Sequence, residues 1–464
     1  MSQDAKRDFL SSLPPELLSE IFNYAYKDFE PPRAPISRAL LPFQRQALFR
    51  KIRIDALSHF DSLVEAHESN AGLGRMVKSL EVQNVDTQGG GGGTKNERRM
   101  KGFFSTLVNL EQLRLGSNTT SLIDLVLSLR IARSELPQLR SLVLEIPSEW
   151  KKPFDSKIYR NLNEYPSLCR LEISTEKHDR FACNSRGGGK LTKITQLVLK
   201  GPEVDNSKTL SFLQNFPNLK SLTLDTLASH HPDYSSLVGI LPTSLISLTL
   251  RNLGFYDGYS KPCDQHFPRL VNLESLYLSE GTFTKDLINP LLQLPKLQTL
   301  GFGKGAVLEP SRIEEMVVGP HRLPALEKLI FDQFEGKVGW SISKDSDGVT
   351  LHSEHMKDFD HLGPGWQIPR ADTCMSGRDF DDLLLPLLST IKEAKIQIEG
   401  KTLDALKVWD KWRYEVVMCE FAYAAEVGNC DEMLERYGED YVKEFKANYG
   451  WDDEFDEFSG YYDY

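Results

Sequence analysis

One phrase recurs along the chain: an aromatic residue or a leucine, often a proline, and then LxxLxL. It reads LVNLEQLRL at 107–115, LPQLRSLVL at 136–144, YPSLCRLEI at 165–173 and LTKITQLVL at 191–199. FPNLKSLTL (216–224), LPTSLISLTL (241–250), LVNLESLYL (270–278), LPKLQTLGF (294–302) and LPALEKLIF (323–331) follow, and MVKSLEV (76–82) is a weaker first copy. The first apolar position of each copy falls at Val77, Leu110, Leu139, Leu168, Ile194, Leu219, Leu245, Leu273, Leu297 and Leu326. The spacings are 33, 29, 29, 26, 25, 26, 28, 24 and 29 residues. The one long gap has a visible cause, the five-glycine run Gly89 to Gly93, which reads as a loop insertion.

A period of about 20–29 residues with this phrase is the signature of leucine-rich repeats. The last two leucines of LxxLxL are two apart, so in a strand they point the same way and the residue between them points oppositely. One repeat cannot bury its leucines alone, whereas stacked repeats share a continuous core under a parallel sheet. The expected fold is therefore α/β, a leucine-rich-repeat solenoid with parallel strands on the concave face and helices outside. TTSLIDLVLSLRIA (119–132) reads as a return helix, with Leu122, Leu125, Val126 and Leu129 at helical spacing, and Leu287, Leu291 and Leu294 repeat the pattern.

Strand alternation then places Gln112, Arg114 and Gly116 on the concave face. Val143 and Glu145, Arg170 and Glu172, Val198 and Lys200, and Thr223 and Asp225 join them. So do Thr249 and Arg251, Tyr277 and Ser279, Gly301 and Gly303, and Ile330 and Asp332. Val143, Val198, Tyr277 and Ile330 gain nothing by facing water, which favours a binding surface over a merely solvated one. The candidate substrate-binding residues are Arg114, Val143, Arg170, Glu172, Val198, Lys200, Asp225, Arg251, Tyr277 and Ile330.

Composition narrows the partners. A net charge of -11 argues against nucleic acid or an anionic membrane, both of which call for a surplus of Lys and Arg. No apolar run approaches the roughly 18 residues of a membrane span, and MSQDAKRDFL lacks a signal core, so the expected location is cytoplasmic or nuclear. Six scattered cysteines without a CxxC pair fit a reducing compartment.

No GxSxG, HExxH or P-loop sequence is present, so no catalytic residue, cofactor or metal is assigned. GFGKG (301–305) is the sequence of a repeat strand, since no GK[ST] follows. His352, His355 and His361, with Asp358 and Asp360, have a spacing metal ligands could use, and a hydrolase built on them is the weakest functional reading. They have no cysteine nearby and read as surface loop. KNERRMK (95–101) reads as a solvated basic loop.

Before the repeats, LSSLPPELLSEIFNYAY (10–26) sets Leu13, Leu17, Leu18, Ile21, Phe22 and Ala25 on one helical face, after Ser12, Pro14 and Pro15 suited to a helix start. LPPELLSEIFNYAY resembles the opening of an F-box. ISRALLPFQRQALFRKIRI (36–54) resembles its second half, and LGRMVKSLEV (73–82) the start of the repeats, in fungal F-box proteins with leucine-rich repeats. The resemblance implies a subunit that docks on a Skp-type adaptor of a cullin (SCF-type) ubiquitin ligase and holds a protein substrate on its repeats. It assigns adaptor docking to Leu13, Pro14, Leu17, Leu18, Ile21 and Phe22, and in the second half to Ile36, Leu40 and Leu48. Two departures are FEPPRAP at 29–35, where proline forbids a regular helix, and the missing tryptophan of the second half. They keep open an alternative, a non-ligase scaffold whose N-terminal helices only cap the solenoid. None of the six cysteines has Asp two residues on, unlike the C-x-D of bacterial ligases that carry leucine-rich repeats, so the chain is not expected to be an enzyme.

The expected organisation is an F-box-like domain at 1–60, repeats at 61–332, a loop insertion with a last helix and strand at 333–400, helices at 401–450 that cap the array, and an acidic aromatic tail at 451–464.

Overall fold

A computed structural model of the chain describes residues 13–18, 21, 40–70, 72–83, 101–117, 119–128, 136–147, 150, 156–175, 189–201, 207–225, 234–251, 267–279, 281–282, 289–303, 306–307, 310–320, 322–332, 341–345, 348–352 and 385–400. They fall in two compact units, one of residues 1–202 with 206–219, the other of residues 203–205 with 220–464.

In the first unit, helix α1 (Leu41–Arg50) runs into strand β1 (Lys51–Ile54), and α2 (Leu57–Ser69) with a 3-10 turn at Gly74–Met76 leads to β2 (Ser79–Val82). Then come β3 (Gln112–Leu115), α3 (Thr120–Leu127), β4 (Ser141–Ile146), α4 (Ser156–Glu164), β5 (Arg170–Thr175), β6 (Gln196–Lys200) and α5 (Ser207–Leu213). The strands lie side by side in chain order, all parallel. β1 lies within the residues read from sequence as the N-terminal helical domain, yet it pairs with β2 from Lys51 opposite Ser79 to Ile54 opposite Val82. KIRI lacks the LxxLxL phrase, and only its two isoleucines mark it as a strand.

The second unit holds β7 (Ser221–Asp225), α6 (Tyr234–Ile240), β8 (Ser247–Arg251), β9 (Ser275–Leu278), β10 (Gly281–Thr282), β11 (Thr299–Phe302), β12 (Ala306–Val307), α7 (Pro310–Val317) and β13 (Lys328–Phe331). After these come β14 (Ser341–Asp345), β15 (Gly348–His352), α8 (Leu385–Glu393) and β16 (Gln397–Glu399). Its main sheet runs β7, β8, β9, β11, β13, β16, again parallel, while β10 pairs with β12 and β14 forms an antiparallel ladder with β15. The helix and strand expected within 383–400 are thus α8 and β16, the latter beside β13. The helices expected from 401 to 450, the tail after them and most of the histidine-bearing loop lie outside the described residues.

The repeat phrase explains the local structure. The residues that open it make a tight turn, with or without the proline: the first leucine's N–H donates to the carbonyl three residues back, as Leu110 to Leu107 (2.9 Å) and Leu273 to Leu270 (2.9 Å). The two N–H groups that follow converge on one carbonyl of the previous repeat, as Glu111 and Gln112 on Lys78 (2.8 and 3.0 Å). The residue just before the first leucine ties the turns together sideways. Asn109 donates to the Arg75 carbonyl (2.7 Å), Asn218 to Thr192 (2.8 Å), Asn272 to Thr243 (3.0 Å) and the Ser167 hydroxyl to Pro137 (2.8 Å). The strand leucines, among them Leu113, Leu142, Leu222 and Leu276, are buried, as are Leu122, Leu125 and Val126 of the return helix α3. Fully burying such a side chain stabilises by roughly 1.5–3 kcal/mol. Gly201 and Gly400 end β6 and β16 with positive φ (87° and 116°), where a side chain would meet the neighbouring backbone.

Candidate binding face

Burial alternates along the strands as the sequence predicts, so one residue in two is turned away from the leucine core. In the first unit the central outward row, read across neighbouring strands, is Arg53, Glu81, Arg114, Val143, Glu172 and Val198. Opposite charges lie side by side in this register, and Arg114 pairs across it. The Arg114 guanidinium bonds Glu145 (2.7 Å) and stands 3.7 Å from Glu81, bridging three strands. Arg53 pairs with Asp55 (2.8 Å) and donates to Gln83, which in turn donates to Glu81 (2.6 Å). The pairs that Arg114 makes with neighbouring strands are partly exposed and contribute roughly 0.2–1 kcal/mol each.

Glu172 departs from the alternation. It is buried, and its two oxygens accept from Lys200 (2.7 Å) and Arg170 (3.1 Å). Burial alone would raise its pKa, but the hydrogen bonds from Lys200 and Arg170 outweigh burial and hold the carboxyl below its ordinary value. Glu172, read from sequence as a binding residue, stands in the outward row enclosed by the two cations it pairs with. Arg114 and Arg170 keep exposed surface, and Val143 and Val198 are half-buried.

In the second unit the corresponding row is Thr223, Thr249, Tyr277, Gly301, Ile330 and Glu399. The Tyr277 ring lies across the two glycines of the next strand. A Cβ at Gly301 would stand 3.2 Å from its Cε2 and closer still to Cδ2, and one at Gly303 would strike the hydroxyl. The hydroxyl reaches Asp332 at 3.4 Å, and the Arg251 guanidinium stands 6.0 Å from the ring centroid. Burial and the Asp332 carboxylate push the Tyr277 hydroxyl up to about 12. Asp225 lies beside Arg251 in register, Ile330 is half-buried, and Lys328 pairs with Glu399. Gly301 and Gly303, read from sequence as bare positions on the face, are its floor beneath the tyrosine. Only the spacing of GFG one repeat after an outward tyrosine signals this.

The N-terminal residues divide into two faces. Leu18 and Leu40 are buried against one another (3% and 1% exposed), with Leu13, Phe43 and Ala47 packed around them. Leu17 and Ile21, one helical turn apart, are 46% and 41% exposed. Leu18 and Leu40, assigned to docking from sequence, therefore form the interior of this small helical unit and present no surface to a partner. Pro14 is exposed and Leu48 half-buried, while Phe22 and Ile36 lie outside the described residues.

Among the described residues no helix is long and apolar enough to cross a membrane, and no cluster of three metal-ligating side chains occurs. No family model matches the sequence, and no curated protein matches it. Among solved structures, the chain is similar to an internalin (inlF) from Listeria monocytogenes, at 14% identity over 68% of this chain and 89% of that one, with a TM-score of 0.32. It is also similar to the leucine-rich repeat-containing protein LegL7 from Legionella pneumophila (17% identity, 58% and 86% of the two chains, TM-score 0.34). A third similar structure is the TLR13-ssRNA13 complex (14%, 57% and 41%, TM-score 0.32). The fold itself rests on the repeat spacing and the strand register.

Proposed function

We propose that this chain is the substrate-recruiting subunit of a cullin-based ubiquitin ligase. In this reading the N-terminal helices dock on a Skp-type adaptor and the outward face of the repeats holds a protein substrate. The observation that carries it is the split of the N-terminal apolar residues. Leu18 and Leu40 close a core, while Leu17 and Ile21 remain uncovered at one-turn spacing. A helix that only capped the array would turn its large apolar side chains inward, whereas exposed ones in a row fit a groove on another protein. The sequence around them, LPPELLSEIFNYAY, is what resembles an F-box.

The chemistry in such an assembly belongs to other subunits. This chain contributes position, raising the local concentration of a substrate lysine near the ubiquitin-loaded enzyme. Its repeat face suits that task, because its ion pairs and the Tyr277 ring are already fixed and little ordering remains to be done on binding. The test is a pulldown with purified Skp-type adaptor, comparing wild type with Leu17→Asp/Ile21→Asp. Retention of wild type and loss of the variant, with unchanged circular dichroism, is the expected result. Equal retention of both would overturn the assignment of the docking face, and no binding by either would favour the scaffold reading.

A further inference from the structure

We propose that His67 is a proton-sensitive latch that holds helix α2 to the first repeats and releases it on acidification. The core face of α2 is set by Phe60, Val64 and His67, at the i, i+4, i+7 spacing at which a leucine would ordinarily stand. His67 is 4% exposed, and neither ring nitrogen has a hydrogen-bond partner. Its ring stacks on Phe103 (centroids 5.0 Å apart, planes at 29°), and Phe103 meets Phe60 and Phe104 edge-on at 5.5 and 5.8 Å. The imidazole thus occupies an aromatic slot in which neither nitrogen is satisfied, an unfavourable arrangement for any polar group and worse for a cation.

Among the described residues the charged groups around it offer no relief. On α2 itself Glu65, Glu68 and His59 are exposed and Asp61 is half-buried, on residues 101–106 Lys101 is exposed, and on the Gly74–Met76 turn Arg75 is exposed. None of them bonds the imidazole. The last turn of a helix ordinarily favours a cation, but burial dominates here and pushes the His67 pKa below its usual 6.5. The unfolded or released segment therefore binds a proton more readily than the packed one. The sign follows: packing of α2 is strongest above 6.5 and weakens as pH falls from 6.5 towards the lowered folded value. Because α2 connects β1 to β2, its release loosens the start of the repeats, next to the N-terminal helices.

Hydrogen exchange of the full chain, followed by mass spectrometry between pH 7.5 and 5 and corrected for intrinsic rates, tests this. Peptides from 57–69 and 101–106 should lose protection by up to about tenfold per pH unit below 6.5, while β7 and β8 keep theirs. His67→Phe, which retains the stacked ring without a proton site, should flatten the dependence. If that variant does not fold, proton NMR of the wild-type imidazoles decides: the His67 resonance should titrate below the ordinary histidine value of 6.5. Equal pH dependence in wild type and His67→Phe, or a His67 that titrates at or above 6.5, overturns the proposal.

Discussion

Gly301→Ala is a single-methyl change whose sign depends on one neighbouring ring. Gly301 has an ordinary strand backbone, so alanine meets no conformational barrier there, and replacing a strand glycine by alanine normally stabilises by roughly 0.5–1 kcal/mol. Here the new Cβ would stand 3.2 Å from Tyr277 Cε2, with Cδ2 nearer still. The ring must lift, at the roughly 1–3 kcal/mol typical of overpacking. Lifting it also loosens the hydroxyl contact with Asp332 at 3.4 Å, which contributes about 0.5–1 kcal/mol. Gly301→Ala should therefore destabilise by about 1–3 kcal/mol in wild type and stabilise by about 0.5–1 kcal/mol in a Tyr277→Ala background. Urea unfolding of the four proteins, followed by far-ultraviolet circular dichroism, measures the coupling. Equal effects of Gly301→Ala in both backgrounds would show that the ring does not lie on the glycine.

Three further outcomes follow from the same geometry. Glu172→Gln should cost about 1–2 kcal/mol at pH 7, since it leaves two half-exposed cations without their anchor; because the folded carboxyl is held below its ordinary 4.5, wild type should lose this increment as pH falls below about 4.5, and the variant should not. Asn218→Ala and Asn272→Ala each remove a bond between successive turns and should cost about 1 kcal/mol apiece in urea unfolding, adding when combined because the sites share no partner. In a spectrophotometric titration Tyr277 should ionise near 12, so that Tyr277→Phe removes one phenolate transition at that high pH.

The repeat period, the strand positions and the inward leucines were legible in the sequence because each depends on side-chain spacing alone. Residues that act through a neighbour were not. Arg170 flanks Glu172 on its own strand, but Lys200 comes from the next strand about 28 residues on, and no local pattern states that the two cations will enclose the carboxylate. Gly301 and Gly303 read as featureless because what covers them comes from the preceding repeat. β1 carries little signal of its own: its partner strand β2 comes after a helix and a turn, and KIRI carries only one of the spacings that define the later copies. In the N-terminal unit, helical spacing placed Leu17, Leu18 and Ile21 on one face, but only packing on Leu40 separates the buried residue from the exposed pair.

The most direct test of the ligase reading is mass photometry of the full chain mixed with a purified Skp-type adaptor and cullin. Wild type should form a single species with one copy of each protein, and Leu17→Asp/Ile21→Asp should remain separate from an intact adaptor–cullin pair. A wild-type chain that stays alone while adaptor and cullin assemble normally would contradict the recruitment function and leave the repeats as a scaffold of another kind.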